Sequence, residues 1–166
     1  MPVTQLGNET TRAYADGATF VMEREFDAPR ELVWKVLTEA EHIPNWWGLR
    51  GRPMTVEQMD VRVGGRWRWV TATDDGDPVP FIGEYLEIVP PERLVNTEIF
   101  DVEPYNQGEP AIVTQTLEDL GGRTRLVNRS TFSSPEILEA VLSTGMVSGA
   151  IESWDRMAEE LARIQA

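Results

Sequence analysis

The side chains able to do chemistry in this chain are few. One histidine, His42, lies in AEHIPNWWG at 40–48, and there is no cysteine. Histidine titrates near neutral pH, so His42 is a candidate base. With no second histidine, a His-rich zinc site is excluded. Missing cysteine removes thiol nucleophiles, thiolate metal sites and disulfides, and it fits a reducing, cytoplasmic setting. Asp74-Asp75-Gly76-Asp77 offers oxygens without the spacing of a calcium loop, so it reads as a solvated turn. Gly64-Gly65 has neither the lysine nor the spacing of a phosphate loop. Ser143 and Ser148 sit in no Gly-x-Ser-x-Gly elbow. Neither a metal nor a cofactor is expected.

Carboxylates on apolar strands are the remaining reactive groups. Glu84 shares a strand face with Ile82, Leu86 and Ile88, and Glu98 with Leu94, Asn96 and Phe100. Gln115 and Asn128 are also polar among apolar neighbours. An ionised carboxylate away from water needs a partner or takes up a proton. Arg68 or Arg129 is the expected partner. Glu84 and Glu98 are therefore the weak catalytic candidates, as acids or bases. Against this stands an ordinary surface ion pair, which contributes little.

Aromatic residues are the second signal. Trp46-Trp47 follow Pro44, and Trp67, Trp69 and Thr71 share one strand face while Arg66, Arg68 and Val70 share the other. Large rigid rings suit contact with an apolar ligand. The candidate ligand-binding set is Trp46, Trp47, Trp67, Trp69, Phe81, Tyr85, Phe100, Met146 and Gly149. Inward-facing rings at 67 and 69 would floor a cavity. Outward-facing ones would make a patch for a protein partner.

Patterning defines the elements that must hold these groups. Residues 1–17 are polar and read as a flexible arm, leaving 18–166 as one domain. Residues 18–26 alternate with period two, a strand. Asp27 is a cap candidate and Pro29 fits a first turn. Leu32, Val33, Val36 and Leu37 repeat at helical spacing. A short second helix holds His42 and Ile43. Six strands follow between Met54 and Phe132, with Asp119-Leu120-Gly121-Gly122 as a hairpin signal. Ser134-Pro135 starts a long helical segment to 165, interrupted by Gly145 and Gly149. These glycines imply a bend, a close approach or a break between two helices.

No βαβ repetition occurs, so the sheet is expected to be antiparallel and covered by the last helix. Where a bent sheet and a rod-like helix fail to meet, a ligand fits. The net charge is -13, from fifteen basic and twenty-eight acidic residues, which disfavours nucleic acid and anionic lipid. No apolar run is long enough to span a membrane.

Four stretches carry a resemblance: FDAPRELVWKVLTEAEHIPNWWG at 26–48, MDVRVGGRWRW at 59–69, GEYLEIVPPERLVNTEIF at 83–100, and the helix from Gly145 to Leu161. Together they resemble the activator of Hsp90 ATPase homologue group, in the START-like, SRPBCC, helix-grip (Bet v 1-like) superfamily. The resemblance implies an α+β fold: a curved antiparallel sheet around a long C-terminal helix, with two short helices between the first two strands. It also implies a cavity between sheet and helix, with Trp46 and Trp47 near its mouth. The superfamily includes lipid carriers and aromatic polyketide cyclases. The expected function is binding of an apolar or aromatic small molecule, without catalysis. The alternatives are an acid–base enzyme of the cyclase type and a protein-interaction or co-chaperone-like domain. A homodimer or a protein partner is compatible with this reading.

Overall fold

A computed structural model describes residues 4–166. Among the described residues nine strands form one antiparallel sheet: β1 (Thr4–Gln5), β2 (Arg12–Asp16), β3 (Thr19–Phe26), β4 (Thr55–Met59), β5 (Arg66–Ala72), β6 (Pro78–Val89), β7 (Arg93–Phe100), β8 (Ala111–Asp119) and β9 (Thr124–Thr131). Their order across the sheet is β1-β2-β3-β9-β8-β7-β6-β5-β4. Four helices accompany it among the described residues: α1 (Arg30–Thr38), α2 (Ile43–Trp46), α3 (Pro135–Leu142) and α4 (Met146–Gln165). No helix among the described residues is long and apolar enough to cross a membrane.

The N-terminal segment differs from the arm expected at 1–17. Residues 12–16 pair with 19–23, from Arg12 opposite Glu23 to Asp16 opposite Thr19, and β1 adds to β2. Ala13 is buried against the core, so a small residue in a polar stretch hides an inward-facing position. Residues 1–3 lie outside the described residues. As a result, the two short helices connect β3 and β4, the third and fourth strands rather than the first and second.

Helix α1 does not use Asp27 as its cap. Pro29 is the N-cap, with no side-chain capping bond, and Asp27 pairs with Arg123 instead. Val33, Val36 and Leu37, at helical spacing, are its buried face. At α3 the expectation holds: Ser134 Oγ accepts from the Ile137 N–H at 3.2 Å, with Pro135 in the first turn. The long C-terminal segment is two helices. Gly145, with φ of 85°, is the N-cap of α4 and adopts the left-handed conformation that separates the two helices. The 20 residues of α4 make a rod of about 30 Å.

One face of the sheet carries the core. Phe20, Met22 and Phe26 from β3 and Leu117 and Leu126 from β8 and β9 pack with Val33, Val36, Ile43, Trp46, Trp154, Met157 and Leu161. The rod is tied to β3. Trp154 meets Phe26 edge-on at 5.8 Å, and Arg24 Nη1 donates to Asp155 at 2.6 Å. A second, smaller cluster of Trp67, Tyr85 and Leu94 lies at β5–β7, with Trp34 and Trp69 packed against both clusters. The helix is thus anchored on one side of the sheet, and the β5–β7 side is packed largely by aromatic rings.

Candidate ligand-binding face

Register decides which side chains share the helix-bearing, inner face. Trp67 pairs with Gly83 and Trp69 with Phe81. Phe81 pairs with Phe100, and Tyr85 with Asn96. Asn96 pairs with Val113, Leu94 with Gln115 and Glu98 with Ala111. Val113 pairs with Ser130 and Gln115 with Asn128, while Phe20 and Met22 of β3 oppose Ser130 and Asn128. Directly paired residues point to the same side of a sheet. Trp67 and Trp69 therefore face inward with Phe81, Tyr85, Glu98 and Phe100. The arginine stripe of β5 faces outward.

The rings form a continuous wall. Trp47 meets Trp69 at 5.3 Å and Phe81 at 5.2 Å, both edge-on. Phe81 stacks on Phe100 at 5.3 Å, and Phe100 meets Tyr105 at 5.3 Å. Trp67 and Trp69 lie 4.7 Å apart. Such contacts add roughly 0.5–1.5 kcal/mol each beyond burial. The two neighbouring tryptophans divide: Trp46 is buried in the main core, donating from Nε1 to the Val36 carbonyl at 2.8 Å, and Trp47 joins the wall. Met146 is half-buried in the first turn of α4. Gly149 is turned to Leu49 of the loop between α2 and β4, where an added Cβ would lie 3.5 Å from Leu49 Cδ2.

Polar groups interrupt the wall. Gln115 Nε2 donates to Asn128 Oδ1 at 3.2 Å, and Asn128 Nδ2 to Ser130 Oγ at 3.1 Å. The indole N–H groups of Trp67 and Trp69 are buried without an acceptor among the described residues. Desolvation raises the buried Tyr85 hydroxyl well above its ordinary pKa. Glu98 is the sharpest feature. No hydrogen bond or ion pair reaches its carboxylate among the described residues, and burial alone pushes its pKa up to about 7. The expected arginine partners are elsewhere. Arg68 donates to Glu57 and Asp101 on the outer face, and Arg129 sits between Val21 and Thr114, also outward.

Glu84 lies opposite Arg66 on the outer face, one residue out of phase with the inward Gly83 and Tyr85. The run Ile82, Glu84, Leu86, Ile88 does not keep one face. A bulge between Tyr85 and Glu87 shifts the register, so Ile88 pairs with Leu94 and packs inward.

His42 is tied into a structural network. Its Nδ1 lies 2.9 Å from Glu160 Oε2, which also accepts from Asn45 at 2.9 Å, while Arg163 grips the carboxylate at 2.7 and 2.9 Å. Glu160 is 4% exposed, and these partners, Arg163 first, lower its pKa to about 2. Nothing in the local pattern signals this pairing, because Glu160 stands on the polar stripe of its helix, 118 residues from His42. Glu39 and Glu41 each bring one carboxylate oxygen within 4.8 Å of one His42 ring nitrogen, the one such grouping among the described residues with ligand atoms close enough for a cation. Tyr105, which extends the ring stack, is equally unmarked in the sequence: it sits in a 3-10 turn, Tyr105–Gln107, where no periodicity gives direction.

Two open grooves, of about 480 and 530 Å³, lie against α1 and against the β1–β2 connection. Neither is lined by the wall.

An antiparallel sheet gripping a C-terminal helix, with two short helices after an early strand, defines a START-like helix-grip domain. The Activator of Hsp90 ATPase homolog 1-like protein family matches residues 27–164, and the chain belongs to that family. Among solved structures, a protein from Arthrobacter aurescens is 27% identical with a TM-score of 0.82, covering 91% of each chain. One from Rhodobacter sphaeroides is 26% identical, TM-score 0.80, covering 92% of this chain and 98% of that one. An AHSA1 protein from Silicibacter pomeroyi, 23% identical with a TM-score of 0.70, shares the fold over 87% of this chain and 98% of its own. None of the curated proteins matches the sequence.

Proposed function

We propose that this chain is a binding domain whose inner face, on the β5–β7 side, receives the aromatic or apolar part of a small molecule. One observation carries the reading. Trp69, Phe81, Glu98 and Phe100 point inward from the sheet, yet each is only half-buried, whereas their counterparts under α4, such as Phe26 and Leu126, are fully buried. Apolar surface left accessible inside a fold is stabilised by a guest at about 25 cal/mol per Å² covered. The residues assigned to the guest are Trp47, Trp69, Phe81 and Phe100, with the buried Trp46, Trp67 and Tyr85 as support behind them.

Titration with the neutral dye Nile red tests this. Saturable fluorescence enhancement is expected, weakened roughly tenfold by Trp47→Ala, with the variant destabilised but still folded at the titration temperature. Unchanged dye affinity in the variant would count against the wall as the binding surface.

A second reading is a protein-interaction domain. The family description, which names an Hsp90 ATPase activator, supports it more directly than it supports a carrier. Leu86, Val89 and Ile112 are exposed apolar side chains on the sheet and suit a partner's surface. Native mass spectrometry of the protein from its own host separates the two. A retained small molecule favours the first reading, a retained polypeptide the second. For acid–base catalysis, Glu98 is the inward-facing candidate of the two strand carboxylates, since Glu84 points outward.

A further inference from the structure

Away from the strand ends, two charged side chains rise from the inner face of the sheet among the described residues, Arg24 and Glu98. Arg24 has a counter-ion, Asp155, at 2.6 Å. Glu98 has none among the described residues, and Arg24 is three strands away, on β3. Glu98 lies opposite Ala111 across the β7–β8 ladder, and Phe100 follows it on the same face of β7. A half-buried carboxylate in such surroundings has lost part of the hydration it had in the unfolded chain, and a cation or a proton offsets that loss.

The rings around it act in the same direction. The faces of Trp, Phe and Tyr are negative and attract cations within about 6 Å. The chain's net charge of -13 raises the local concentration of cations and repels anions. A neutral guest gains from the apolar wall alone. An anionic guest meets Glu98 and the overall field.

We propose that the inner-face site selects an organic cation: a protonated amine whose apolar body lies on the Trp47–Phe81–Phe100 wall and whose ammonium group pairs with the Glu98 carboxylate. This rests on the inner face being the binding surface, and it adds the charge of the guest. The pairing is non-covalent. The ammonium contributes the counter-charge that no described side chain supplies.

Isothermal titration with two probes of equal shape, naphthylethylammonium and naphthylethanol, tests the proposal at neutral pH. The wild-type protein should bind the ammonium at least roughly tenfold more tightly than the alcohol. Glu98→Gln should abolish that preference while leaving affinity for the alcohol within about twofold, and Glu98→Asp should retain part of it. Equal affinities in the wild type, or a preference that survives in Glu98→Gln, would overturn the cation assignment. If the alcohol binds as well as the ammonium, the inner-face reading stands and only the charge selection falls. If neither binds, both fall. The wild-type comparison decides the matter even where a variant folds poorly.

Discussion

The indole of Trp67 lies directly over Gly83, so close that a Cβ at residue 83 would stand 2.4 Å from Trp67 Nε1 and 2.0 Å from the Thr97 carbonyl oxygen. Glycine lets the ring lie flat on the sheet, and this fixes the floor of the ring wall. Gly83→Ala is expected to destabilise by about 2–3 kcal/mol, because overpacking forces the ring or the β7 backbone to move. Chemical denaturation measures it. A midpoint shift near zero would mean that the ring is not held there.

Glu98 should make stability fall as pH rises. Its folded pKa of about 7 lies above the ordinary carboxyl value of 4.5. Below 4.5 the group is protonated in both states and there is no penalty. Between 4.5 and about 7 the unfolded chain releases the proton first, so the folded state loses relative stability, and the loss levels off above 7. Glu98→Gln removes this penalty. It should stabilise by about 1–3 kcal/mol at pH ~8 and change little at pH ~4. Equal effects at the two pH values would contradict an unpartnered interior carboxyl.

Glu160 should act with the opposite sign. Its folded pKa of about 2 lies below 4.5, so its contribution is present above 4.5 and is lost as pH falls towards 2. Glu160→Gln should cost about 2–3 kcal/mol near neutral pH, since hydrogen bonds to a charged group are the strong ones. That cost should shrink in acid. Urea melts at pH ~7 and ~3 give the comparison, and an undiminished cost in acid would contradict the network's electrostatic origin.

Trp154 holds the rod to the sheet through Phe26. Trp154→Ala should cost about 3–5 kcal/mol, the usual range for deleting a large buried aromatic. Thermal or denaturant unfolding reads it directly. A loss below about 1 kcal/mol would show that α4 is held chiefly by its polar ties, from Glu160 to Asn45 of α2 and from Ser153 and Glu159 to Gly48 and Arg50 of the loop before β4.

Much of the fold is written in local periods. Trp67 and Trp69 share a face because strand side chains alternate, and Leu32, Val33, Val36 and Leu37 share one because a helix turns every 3.6 residues. Both patterns survive in the structure. The phase is harder to read where the ladder slips. The bulge after Tyr85 moves Ile88 inward, and bulges leave little trace in one strand's composition. The β2 strand is obscured for a related reason: its inward residues are Ala13 and Ala15, too small to mark an apolar stripe against Arg12, Tyr14 and Asp16.

The sequence alone determined the antiparallel α+β class, the helix starting after Ser134, the pairing of rings on β5 and the absence of thiol chemistry. These depend on residue type and on neighbours a few positions away. The tertiary structure decided which side of each strand meets the helix, that Arg68 turns outward to Glu57 and Asp101, and that Glu98 is left without a counter-charge among the described residues. Those outcomes are set by register between strands and by what distant segments bring to the same place. No single stretch of chain contains that information, because a charge is paired or unpaired only in three dimensions.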